Sequence, residues 1–76
     1  MNKFYFTFGS HPDYPYYRGW VEVIADTLQN AVAKFRRRFP DKDEGIVNCA
    51  FWYTEKDFKD TIPHGSKYEV CHEVIY

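Results

Sequence analysis

The side chains that could carry chemistry fall in three places along the chain. The first is the stretch Ser10 to Gly19, reading Ser-His-Pro-Asp-Tyr-Pro-Tyr-Tyr-Arg-Gly, followed at once by Trp20. Its two prolines preset the backbone and lower the entropy lost on binding, while Tyr14, Tyr16 and Tyr17 offer flat rings with a polar tip. Joined by Arg18 and Trp20, such a loop can stack a base or sugar, or anchor a partner protein. The competing expectation is that the tyrosines fold back and seal the open side of a small sheet. His11-Pro12-Asp13 could pair an imidazole with a carboxylate, a pattern common to polar loops.

The second place is the basic run Lys34, Arg36, Arg37 and Arg38. Residues 34, 37 and 38 share one helical face, with Arg36 pointing elsewhere. Arg37 and Arg38 could hold a phosphate or an acidic partner, or simply form a solvated face suited to the helix dipole. Asp41, Asp43 and Glu44 lie close enough to blunt their field. The third set is Cys49, His64, Cys71 and His72, residue types that zinc accepts. No C-x-x-C pair is present, and neighbours on a strand such as Cys71 and His72 point to opposite faces, so neither a metal nor a cofactor is expected. Cys49 sits in the most apolar stretch, a poor setting for a nucleophilic thiolate. P-loop, G-x-G-x-x-G, H-E-x-x-H and G-x-S-x-G patterns are absent, and catalysis is not expected.

The elements that must position these groups follow from periodicity. Lys3 to Phe8 alternates, with Phe4, Phe6 and Phe8 on one side and Lys3, Tyr5 and Thr7 on the other, as in a strand with one face on a core. Trp20 to Ala25 is a second strand whose outer face (Trp20, Glu22, Ile24) is apolar enough to be partly covered. Asp26 or Thr27 can cap a helix in which Leu28, Ala31, Val32, Phe35 and Phe39 line one face, ended by Pro40. Asp26-Thr27-Leu28-Gln29 approximates a capping box. Ile46 to Tyr53 is a nearly continuous apolar run, which predicts a central strand buried on both faces. Thr54-Glu55-Lys56-Asp57 opens a short helix through about Asp60, anchored by Phe58. Lys67 to Ile75 is a final strand, placed at an edge by its glutamates. The order β-β-α-β-short α-β predicts a single α+β domain: a mostly antiparallel four-stranded sheet with one long helix packed across one face.

Composition sets outer bounds. A chain of 76 residues is near the size where one core only just stabilises itself, and an aromatic content of 21% compensates. The formal net charge is -1, from 10 basic and 11 acidic residues, which argues against nucleic acid or an anionic membrane as partner. No apolar run approaches the roughly 18 residues of a membrane span, and Met1-Asn2-Lys3 leads into strand-like sequence without a signal-peptide core. The expectation is a cytoplasmic protein with two reduced thiols rather than a disulfide. Pairing of the final strand, or of the outer face of strand two, across a two-fold axis makes a homodimer credible.

The chain also resembles a group of small uncharacterised proteins from phages and mobile elements of gut Firmicutes. The likeness lies in Phe6-Thr7-Phe8-Gly9-Ser10, Pro12 with Pro15-Tyr16, Gly19-Trp20-Val21, Asn48-Cys49-Ala50-Phe51 with Tyr53-Thr54-Glu55, and Cys71-His72-Glu73-Val74-Ile75. That resemblance implies a protein directed at the bacterial host, because short phage proteins often block a defence enzyme or sequester its nucleotide signal. The leading expectation is a non-enzymatic inhibitor of a defence system such as CRISPR, binding a host protein through the Pro/Tyr loop and exposed aromatics. The alternative is a binder of a nucleotide or cyclic nucleotide, with a tyrosine or Trp20 stacking the base and Arg18 or the helix arginines on the phosphate. Binding of single-stranded nucleic acid is a third reading, disfavoured by the charge balance.

Overall fold

The computed structural model describes residues 1–9, 11–61 and 70–76. Four strands and two helices follow in the order β1 (Asn2–Thr7), β2 (Trp20–Ala25), α1 (Leu28–Arg38), β3 (Phe51–Thr54), α2 (Glu55–Thr61) and β4 (Cys71–Ile75). The strands form one sheet in the order β3-β1-β2-β4. β1 pairs antiparallel with both β2 and β3, while β4 runs parallel to β2. The sheet is therefore mixed, with two of its three ladders antiparallel, and the class is α+β.

The alternation along β1 decides which face meets which helix. Phe4, Phe6 and Phe8 join Val21, Val23 and Ala25 in a core closed by Ala31, Phe35 and Phe39. Phe6 stacks on Phe35 with ring centroids 4.4 Å apart. The helix starts where Thr27 Oγ1 accepts the Asn30 N–H (3.1 Å). Thr27 is thus the cap, which moves Gln29 off the reciprocal position expected for it; that position falls to Asn30. Phe39 N–H closes the last turn on the Phe35 carbonyl, ahead of Pro40.

The opposite face of the sheet is covered as well. Thr54 Oγ1 accepts the Asp57 N–H and starts α2, whose Phe58 stacks on Tyr5 at 4.1 Å and meets the edge of Trp20 at 4.8 Å. Tyr5 is thereby buried, and its phenol is pushed up to about 12, by burial first and the nearby Glu22 carboxylate second.

One expected element is corrected. Ile46 to Tyr53 is not a central strand: only Phe51–Thr54 is extended, and it lies at the sheet edge beside β1. The apolar run serves three different ends. Val47 and Cys49 pack against the core from a loop, Ile46 is exposed, and Phe51 and Trp52 stand on the open edge at 57% and 38% exposure. A continuous apolar run reads the same whether it is sandwiched between layers or divided between a core plug and a surface patch. Of the expected final strand, β4 covers the part from Cys71, and residues 67–69 lie outside the described residues.

Candidate functional site

The topology gathers one end of the molecule. Thr7, Trp20 and Phe51 are level with one another through β1, and Trp20 is level with Cys71. The Pro/Tyr loop leaves β1 and enters β2 at this end. Its base is closed by Arg18 N–H on the Gly9 carbonyl (2.8 Å), with Gly9, Arg18 and Gly19 all at positive φ. Gly19 has no room for a side chain, because a Cβ there would overlap the Val70 carbonyl and the His72 ring.

Tyr16 is the centre of the loop. Its hydroxyl donates to Glu73 Oε2 (3.0 Å), and Arg38 Nε donates to Glu73 Oε1 (2.8 Å). The Tyr16 ring lies flat on His72 (4.3 Å, 4° between planes) and edge-on to Phe8 and Phe39. His72 Nε2 in turn donates to the Arg18 carbonyl (2.6 Å). Consecutive residues His72 and Glu73 reach the same tyrosine because the β2–β4 register slips between Trp20 and Val21, so that His72 is the extra residue of a bulge. The strict alternation expected for this strand is broken there. The hydrogen bond from Arg38 holds the Glu73 carboxyl below its usual range, and the bond to Glu73 raises the Tyr16 phenol. Through Tyr16 this arrangement fastens the loop to α1 and β4.

Beside this clasp the loop faces the turn that follows α1, and a cleft of about 220 Å³ separates them. His11, Asp13 and Tyr14 form the loop wall, Lys42, Asp43 and Ile46 the turn wall, and Val47 and Asn48 the floor. Tyr14 packs on Phe8 from its other side, and His11 meets its ring edge-on. His11 Nδ1 accepts the Asp13 N–H (3.3 Å) and lies 3.6 Å from its carboxylate. Asn48 is buried among these groups, its Nδ2 donating to the Pro40 carbonyl (3.4 Å).

The remaining expected residues are dispersed. Tyr17 is exposed at 60%, with the Arg18 guanidinium 5.4 Å over its ring. Trp20 points to the other face of the sheet, against Phe58, away from the tyrosines. Arg37 lines a shallow groove with Lys34, Ile75 and Tyr76, and Arg38 is engaged by Glu73 and lies over the Phe39 ring (4.4 Å). Arg36 binds Asp41 and the Gly45 carbonyl. Glu73 and Asn48 are partners that residue patterns did not single out, and His72, weighed only as a metal ligand, serves instead as the stacking partner of Tyr16. An acid on the core-facing side of an edge strand, opposite an arginine-rich helix end, is the signal for Glu73. The bulge that recruits His72 has no mark in composition.

Cys49 and Cys71 are both free thiols. Cys71 lies on β4 and Cys49 in the loop before β3, elements at opposite edges of the sheet with β1 and β2 between them. Burial pushes the Cys49 thiol up to about 11, so it is protonated at neutral pH. Among the described residues no three His, Cys, Asp or Glu side chains converge as a metal site, and His64 lies outside them. No helix among the described residues is long and apolar enough to cross a membrane. No protein-family model matches this chain, and no curated protein or solved structure matches it.

Proposed function

We propose that this chain is a non-enzymatic binding protein of phage type, an inhibitor that docks on a protein of a bacterial host cell, in its cytoplasm, through the end of the sheet that carries the Pro/Tyr loop. One observation carries the reading. Of the eight large apolar side chains exposed among the described residues, five (Tyr17, Ile46, Phe51, Trp52 and Val70) belong to that end. Val74 lies mid-sheet, level with Tyr5, and Met1 and Tyr76 belong to the other end. Exposed aromatics gathered beside a conformationally fixed loop are the usual anchors of protein recognition, each costing on the order of 2 kcal/mol or more when truncated.

The test uses the surface residues alone, because Tyr14 and Tyr16 also hold the fold. A photo-crosslinking side chain is placed in turn at Tyr17, Phe51 and Tyr76 in cells of the bacterial host. Adducts with one host protein from positions 17 and 51, absent from 76, are expected. The paired change Tyr17→Ala/Phe51→Ala is expected to weaken binding to that protein by about thirtyfold or more. Equal adducts from position 76, or undiminished binding by the paired variant, overturn the proposal.

Nucleotide sequestration draws less support. Trp20 and the tyrosines occupy different faces, and the cleft beside the loop carries two carboxylates where a phosphate would sit. A homodimer through the open edge of β4 is compatible with host binding at the loop end. The outer face of β2, the other dimer surface expected, is partly occupied by α2.

A further inference from the structure

We propose that the cleft between the Pro/Tyr loop and the 41–46 turn receives an arginine side chain of the protein partner. This rests on the protein-binding reading above and names the group recognised.

The floor makes the argument. Asn48 is about nine-tenths buried, at 9% exposure, and its Nδ2 is used by the Pro40 carbonyl. Its Oδ1 accepts nothing from the described residues, yet no sealed polar atom among them lacks a partner, so this oxygen keeps access to solvent on a residue that lines the cleft. A buried acceptor left open is an invitation to a donor. Asp13 from the loop and Asp43 from the turn also line the cleft, and their carboxylates add acceptors to it. His11 Nδ1 is already taken by the Asp13 N–H.

A guanidinium has five N–H donors spread over a plane and no acceptor, so it can bridge acceptors set farther apart than the three donors of a compact ammonium reach. It also stacks on aromatic rings, and Tyr14 supplies one in the wall. Val47 and Ile46 offer apolar surface to the methylenes behind it. Two carboxylates against Lys42 leave the cleft with a net negative charge, which repels phosphate. Its volume of about 220 Å³ is below the roughly 300–1,000 Å³ of clefts that hold drug-sized ligands, and suits one side chain better than a nucleotide.

The experiment titrates isotope-labelled protein with N-acetyl-arginine methylamide and follows the Asn48 side-chain amide with the backbone amides of Asp13 and Asp43 by NMR. Saturable shifts confined to the cleft are expected, absent with the citrulline analogue and weakened about fivefold in Asp43→Asn. Equal shifts with the citrulline or lysine analogue, shifts with adenosine monophosphate in place of arginine, or no saturable shift overturn the assignment. Crosslinking at Tyr17 with no arginine binding removes the cleft assignment alone. Arginine binding without a crosslinked host protein removes the docking surface alone.

Discussion

Tyr16 shows how a single residue can decide whether a loop is a binding surface or a structural seal. Its hydroxyl bonds Glu73, one ring face stacks on His72, and Phe8 and Phe39 meet it in edge-type contacts. Tyr16→Phe removes only the bond to Glu73 and is expected to cost about 1 kcal/mol in urea denaturation, leaving the stacking on His72 in place. The pH dependence runs in two directions. The raised Tyr16 phenol contributes stability that is complete below the ordinary tyrosine value of about 10 and is lost as pH rises through the raised one. The depressed Glu73 carboxyl contributes above the ordinary glutamate value of about 4.3 and is lost as pH falls through the lowered one. Glu73→Gln should therefore flatten the acid limb of the stability profile, measured by thermal unfolding across pH. Gly19→Ala is harsher, since it combines a strained φ of 78° with overlap on β4; a loss of about 3 kcal/mol is expected by the same denaturation assay.

At the scale of elements, the two helices and strands β1 and β2 were legible from the sequence because each rests on local rules, whereas the apolar run from Ile46 misplaced β3. Alternating phenylalanines give β1, the 3.6-residue stripe gives α1, and Thr54 with Asp57 gives the start of α2. What the sequence hid depends on long-range pairing. The edge position of β3, the parallel sense of β4 and the bulge at His72 are choices among partners that local patterns do not encode. The candidate site follows the same division. The loop and its tyrosines were visible, while Glu73, 57 residues from Tyr16, was not. The cover that α2 provides is testable through Tyr5. Phe58→Ala should expose that phenol and bring its titration from about 12 back toward about 10, read by ultraviolet absorbance, with a red shift of the Trp20 fluorescence.

Across the whole molecule, burial separates the two thiols as it separates the two ends of the sheet. Cys71 is exposed and Cys49 is held protonated by burial. One equivalent of thiol should therefore react promptly with a disulfide reagent at neutral pH, and the second only after denaturation. Equal rates would contradict the placement of Cys49 against the core.

The parallel β2–β4 ladder has one more consequence, for the order in which the molecule comes apart. β1 and β2 are joined by their own loop and can persist as a hairpin, whereas β4 is held to the rest through β2, Tyr16 and Arg38. Peeling β4 away removes the acceptor of the Trp20 N–H, the stacking surface of Tyr16 and the contacts around Gly19 together. The loop and the last strand thus behave as one unit of partial opening. In native-state hydrogen exchange, the amides of Arg18, Trp20 and β4 should share one opening free energy, below that of β1. The arginine cleft, which takes one wall from that loop, would then be lost and restored in step with β4.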